Sequence, residues 1–129
     1  MNVTLHTPTG RKTFVFSIDA PTQRIHITTS SHNNTHDYDL RAIKDLYNWL
    51  RHEQNGGWIY LGSKGEEESP DPHTVEAWAR DTNNPIGGFY GLTKGRKGRF
   101  ASYIPSILEY LGLAEVEHKG KNNRMRAIP

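Results

Sequence analysis

Residues 104–116, which read IPSILEYLGLAEV, decide the fold of this 129-residue chain. The apolar side chains of this stretch recur at i, i+3, i+4 and i+7, a spacing that puts them on one face of a helix. These side chains are Ile104, Ile107, Leu108 and Leu111. Gly112 ends the helix, since glycine readily takes the left-handed conformation that follows a helix C-terminus. Alternating residues at 114–117 and 124–128 then predict a β-hairpin directly after the helix.

Two further helices are predicted upstream of this one. The first is capped by Asp37 or Asp39, carries apolar residues at helical spacing and ends at Gln54 before a glycine pair. A short β-prone run follows at 58–61, and a second helix is predicted over about 74–83. The order of elements is therefore helix, strand, helix, helix, hairpin.

The first 31 residues predict a small antiparallel meander of three strands. Polar and apolar side chains alternate within each strand, and turn residues separate the strands. A segment this short cannot bury a core alone, so we expect one of its faces to pack on, or extend, the main domain at 37–129. The Thr/Ser/Asn/His-rich stretch 29–36 is expected to be a polar linker. The fold class is thus α+β.

Composition excludes several classes of protein. The chain has no cysteine, so neither a disulfide framework nor a thiolate metal site is available. No apolar run approaches the ~20 residues that span a bilayer. The N-terminus lacks the basic and apolar regions of an export signal, so a cytoplasmic protein is expected.

Basic residues are unevenly distributed along the chain. The formal net charge is +2, but half of the 16 Lys and Arg residues fall within 94–129, together with only 3 acidic residues. The last part of the chain is therefore basic and the rest is acidic overall. This polarity suits a polyanionic partner at one end of the molecule.

The outer face of the third helix is one candidate binding surface. The helix is expected to begin near Ser102, because Pro105 fits only within a first turn. With the apolar stripe inward, the outward residues are Ser102, Tyr103, Ser106, Glu109 and Tyr110. Their hydroxyl groups can donate to phosphates or base edges. No Arg, Asn or Gln projects from this face to read a base with two hydrogen bonds, so strong sequence specificity from this helix is not expected.

The order of elements resembles that of the winged helix-turn-helix superfamily over residues 39–129. Residues 107–116 and 124–128 are similar to the end of a recognition helix and the two strands of a wing, and 58–61 stands where that fold has its first strand. The segment 82–101 departs from the pattern, since the turn between the second and third helices normally has three or four residues. Either this segment is an insertion or the helices pair differently.

The resemblance implies that duplex DNA is contacted by the third helix at about 102–111, the preceding basic loop at 94–99 and the wing at 114–128. The predicted DNA-contacting residues are Lys94, Arg96, Lys97, Arg99, Ser102, Tyr103, Ser106, Lys119, Lys121, Asn122, Asn123, Arg124 and Arg126. Glycines in the basic loop allow a phosphate to approach the backbone closely. Transcription regulation is one role that such a protein has.

Other functions stay open at this point. A protein-interaction module, or a subunit of a larger nucleic-acid-processing complex, would use the same elements as a docking surface. A small nuclease is a third interpretation, although no acidic metal cluster is evident. His32 and His36 have a helical metal-ligand spacing but no third ligand, so we expect no metal site. The sequence shows no nucleophile–base arrangement and no paired-carboxylate motif, so neither enzymatic activity nor a cofactor is expected.

Deleting residues 1–31 should lower the melting temperature, or cause dimerisation or aggregation, because it exposes the apolar surface that these strands cover. Thermal melts and sedimentation would measure this. An unchanged melt with a monodisperse sample would contradict the prediction. Sedimentation of the full chain would also detect a homodimer formed through the sheet.

Overall fold

The structure is a computed structural model that describes residues 2–29, 35–65, 67–92 and 99–129. Within these residues the fold is α+β, with a four-stranded antiparallel sheet, a smaller three-stranded sheet and three α-helices. The first sheet contains β1 (Val3–His6), β2 (Thr13–Asp19), β3 (Arg24–Thr29) and β4 (Thr35–Asp39) in that order. The helices are α1 (Arg41–His52), α2 (Val75–Arg80) and α3 (Phe100–Tyr110). The second sheet contains β5 (Ile59–Tyr60), β6 (Ala114–Val116) and β7 (Arg124–Ala127), with β7 in the centre.

The N-terminal sheet has one strand more than the sequence predicts. Residues 35 and 36 were expected in a linker, but Thr35–Asp39 pairs with β3 along its length, so that part of the prediction is wrong. The strand forms because Tyr38 lies opposite Ile25, and both side chains are fully buried. Asp39 keeps its predicted place at the start of α1, where its Oδ1 accepts a hydrogen bond from the Arg41 amide at 2.9 Å.

The four-stranded sheet packs on α3. Phe14 meets the ring of Tyr103 edge-on at 5.2 Å, and Phe16 meets Tyr110 in the same way at 5.9 Å. The Ser106 hydroxyl donates to the carbonyl of His6 at 2.8 Å. The sheet therefore covers part of the face that was expected to point outward: Ser106 is buried, whereas Tyr110 remains 52% exposed.

Two predictions about the phase of α3 are corrected by this packing. Ile104, Ile107 and Leu108 are fully buried, as predicted. Ser106 is only 3% exposed, so its predicted outward position is wrong, whereas Leu111, predicted inward, is 43% exposed at the C-terminal end. The helix is buried on two sides because the sheet covers one side while α1 and α2 contact it elsewhere.

Asn84 and Tyr90 are the two buried residues among those described in the segment between α2 and α3, and they connect it to the core. The Asn84 side chain donates to the carbonyls of Trp78 and Ala79 at 3.0 Å each, and its Oδ1 accepts from the amides of Ile86 and Gly88. Further along, the buried Tyr90 ring lies 5.4 Å from the rings of both Trp78 and Phe100. This segment thus joins the two helices through shared aromatic packing.

None of the helices in the described ranges is long and apolar enough to cross a membrane.

A buried carboxylate joins α2 to the start of α3. Glu76, fully buried, accepts a hydrogen bond from the Ala101 amide at 3.0 Å and another from Nε of Arg80 at 3.0 Å. Arg80 in turn donates to the carbonyls of Glu68 and Gly65 in the loop before α2. Burial raises the pKa of Glu76, and the bonds from Ala101 and Arg80 act in the opposite direction. The network therefore fixes the position at which α3 begins.

Leu108→Ala should lower the free energy of unfolding by about 2–5 kcal/mol, because it leaves a cavity at a fully buried site. Leu111→Ala removes the same atoms from a half-exposed position and should cost less than about 1 kcal/mol. Chemical denaturation of the two variants measures both values. Equal losses would mean that the helical phase described here is incorrect.

Glu76→Ala should lower the free energy of unfolding by about 3–5 kcal/mol, because it leaves the Arg80 charge buried without its partner. The matched control is Glu67→Ala, which removes an exposed carboxylate and should change stability by about 0.5 kcal/mol or less. Denaturation at neutral pH measures both. A Glu76→Ala variant as stable as the control would contradict the role given to this network.

Candidate functional site

A cleft of about 320 Å³ opens between the β1–β2 turn, the start of α3 and the tip of the β6–β7 hairpin. Its basic side chains are Arg11, Lys12, Arg99 and Lys121. Hydroxyl and amide groups from Thr9, Ser63, Ser102 and Asn122 line it as well. None of the described residues that line it is acidic. We call this feature the basic cleft; its charge suits an anionic ligand.

The β1–β2 turn contributes two cations that the sequence analysis did not select. The turn is closed by hydrogen bonds from the Thr7 amide to the Lys12 carbonyl at 2.9 Å and from the Gly10 amide to the Thr7 carbonyl at 2.8 Å. Arg11 and Lys12 are both exposed there. The Arg11 guanidinium reaches the backbone of Gly120, where a Cβ would lie 3.6 Å from Nη2. The only local signal was a basic pair beside a predicted turn.

The start of α3 supplies Arg99 and Ser102, which were both predicted site residues. The Nε of Arg99 lies 3.9 Å from Oε1 of Glu76, and its side chain is one-third exposed at the cleft. The Ser102 amide donates to the Arg99 carbonyl at 2.8 Å. The buried carboxylate thus positions the first turn of the helix and the cation that precedes it.

The tip of the hairpin contributes Lys121, Asn122 and Asn123 to the lining of the cleft, although most of the Asn123 side chain is buried within the hairpin. Asn123 is buried: its Oδ1 accepts from the Lys119 amide at 2.6 Å, and its Nδ2 donates to the Lys119 carbonyl at 2.9 Å. Asn122 and Lys121 are exposed and line the basic cleft. The Lys119 ammonium lies 3.6 Å from Oε1 of Glu117, so an acid on the same hairpin offsets its charge.

The two arginines of β7 form ion pairs within their own sheet. Arg124 donates to both oxygens of Glu117 at 2.9 Å, and this bond holds the pKa of Glu117 down at about 2. Arg126 lies 3.2 Å from Oε1 of Glu115. Both guanidinium groups stack on Trp58, at 5.2 Å for Arg124 and 4.4 Å for Arg126. Their charges are thus balanced by acidic residues of the same hairpin.

Two further predicted contacts on α3, Tyr103 and Ser106, do not line the cleft. Tyr103 packs on Phe14 and stacks on His36 at 5.7 Å, and Ser106 is bonded beneath the sheet. The predicted contacts Lys94, Arg96 and Lys97, and also His32, lie outside the described residues.

His118 fastens the hairpin to the β1–β2 turn. Its Nδ1 lies 2.9 Å from the carbonyl oxygen of Pro8, and its Nε2 lies 2.6 Å from Oε2 of Glu109. Both neighbours only accept hydrogen bonds, so the doubly protonated ring satisfies both. Burial lowers the pKa of His118, but the bonds to Glu109 and Pro8 outweigh it and the net direction is upward. The contribution of this contact to stability is therefore full at acidic pH and is lost as pH rises through the raised pKa.

Comparison with known proteins gives a family but no function. Neither the curated proteins nor the solved structures contain a significant match to this chain. Residues 2–128, almost the whole chain, match the model of a family of unknown function. The chain therefore belongs to DUF6855, a family of unknown function.

Proposed function

We propose that the chain is a DNA-binding protein of winged-helix type that holds the phosphate backbone of a duplex in its basic cleft. The observation that carries the proposal is the convergence of Arg11, Lys12, Arg99 and Lys121 on one cleft without an acidic side chain among its described lining residues. Cations that neutralise phosphates supply most of the affinity of sequence-independent DNA binding. Hydroxyl and amide groups around them are common phosphate donors.

The arrangement of the elements supports the winged-helix assignment. The order α1, β5, α2, α3, β6, β7 is the order that the resemblance implies, and β7 pairs with both β5 and β6. The tip of the β6–β7 hairpin stands beside the start of α3, where a wing and a recognition helix would share a DNA site.

The covered face of α3 determines which kind of contact is proposed. Tyr103 and Ser106 pack against the four-stranded sheet, so they are not available to enter a major groove. The proposed contacts are therefore with phosphates, from the first turn of α3, the hairpin tip and the β1–β2 turn. Such contacts position a protein on DNA without reading its sequence. We propose binding with little preference between duplex sequences.

Arg11→Ala combined with Lys121→Ala should weaken binding to all duplex sequences, by an order of tenfold or more per lost contact. The slope of log K against log salt should fall by about two, because two phosphate contacts are removed. Fluorescence anisotropy across a salt series measures both quantities. The matched control, Lys44→Ala with Arg51→Ala, removes the same charge from exposed positions on α1 and should bind as the wild type does.

Two results would overturn the proposal. The first is a wild-type protein that binds no duplex at low salt. The second is a cleft variant whose affinity and salt slope equal those of the α1 control. In either case the alternative of a protein-interaction module would take its place.

A further inference from the structure

A second cleft, of about 410 Å³, adjoins the basic cleft. The two share Gly62, Ser63, Asn122 and Asn123 in their linings, so they form one continuous groove. Gly62 has φ of +100°, and a Cβ there would lie 3.1 Å from both Thr74 and Glu76, so this floor has no room for a larger residue. The far end of the groove differs from the basic end: it is lined by Tyr60, Asp71 and Pro72.

Tyr60 is the last member of a row of stacked planar groups. Arg126 lies over Trp58 at 4.4 Å, and Arg124 lies between Trp58, at 5.2 Å, and Tyr60, at 6.0 Å. Arg124 is held in place by its two bonds to Glu117, so the row is fixed before any ligand arrives. Tyr60 nevertheless remains 53% exposed. A planar ligand would extend the row at little cost in ordering.

The charges along the groove favour the phosphate of a nucleotide at one end and its base at the other. A phosphate favours the end with Arg11, Arg99 and Lys121, whereas the carboxylate of Asp71 disfavours a phosphate at the other end. A carboxylate accepts hydrogen bonds from N–H groups on the Watson–Crick edge of a base. That edge is exposed only when the base is unpaired. An aromatic platform beside a basic groove is also the usual arrangement for binding single strands.

We infer that the cleft at Tyr60 and Asp71 receives an unpaired base of the same strand whose phosphate lies in the basic cleft. This inference rests on the proposed function and narrows its ligand to DNA with a single-stranded segment or an extruded base. The protein then recognises a junction or a distorted site by shape. Fully paired duplex occupies only the basic end of the groove.

The test compares three labelled DNA probes: a duplex, the same duplex with a short single-stranded overhang, and that overhang made of abasic nucleotides. The two overhangs carry identical phosphates, so their difference reports the bases alone. Wild-type protein should bind the normal overhang on the order of tenfold more tightly than the abasic one, the usual contribution of one stacked base. Tyr60→Ala should abolish this difference without changing the salt slope on duplex, and Tyr60→Phe should keep it.

Tyr110→Ala is the matched control, because Tyr110 is 52% exposed but lies against the N-terminal sheet, and it should retain the difference. If the wild type binds the two overhangs with equal affinity, the inference is overturned. The proposed function still holds in that case, provided that the wild type binds the duplex. Retention of the difference in a folded Tyr60→Ala variant also overturns it. If that variant does not fold, the wild-type comparison decides alone. Failure of all three probes to bind removes the proposed function itself.

Discussion

The buried charge of Glu76 is the interaction on which the rest of the structure depends. Its carboxylate joins α2 to the first turn of α3, and Arg80 extends the connection to the loop before α2. A carboxylate without access to water is stable only when its hydrogen bonds are made, so this arrangement tolerates little displacement of either helix. Arg99 and Ser102 lie within two residues of Ala101, so the same hydrogen bond fixes their positions. The geometry of the basic cleft is thus set from inside the protein.

The position of α3 along the chain is that of a recognition helix, but its packing against the four-stranded sheet does not suit that role. A recognition helix needs one free face, but here Phe14 and Phe16 contact the tyrosines of that face and His6 accepts a hydrogen bond from Ser106. This packing buries Ser106 and places the Tyr103 ring against Phe14. The same docking brings the β1–β2 turn to the beginning of the helix, where the two line one cleft. DNA recognition is therefore proposed at the edge of the helix instead of along it.

Ion pairs within the second sheet neutralise several basic residues in the C-terminal part of the chain, so its net charge overstates the number of cations available to a ligand. Glu115 and Glu117 engage Arg126 and Arg124 in the sheet, where the guanidinium groups also stack on Trp58. The exposed Lys121 instead lines the basic cleft together with cations from distant segments of the chain. A cluster of basic residues in sequence thus separates into structural and available charges according to which acids the fold places beside them.

Local sequence determined the three helices, the strands β1–β3 and the hairpin, because side-chain periodicity and a residue such as Gly112 act within a few positions of the chain. It also marked Arg99 and Lys121 as basic residues near the site. Only the tertiary structure decided that Ser106 is buried and that Arg11 belongs to the cleft. A hydroxyl can lie on a surface or beneath a sheet, and its local pattern is the same in both cases. The β6–β7 hairpin meets the β1–β2 turn through the contact of His118 with Pro8, which lie 110 positions apart. Nothing in the local sequence of either segment indicates this contact.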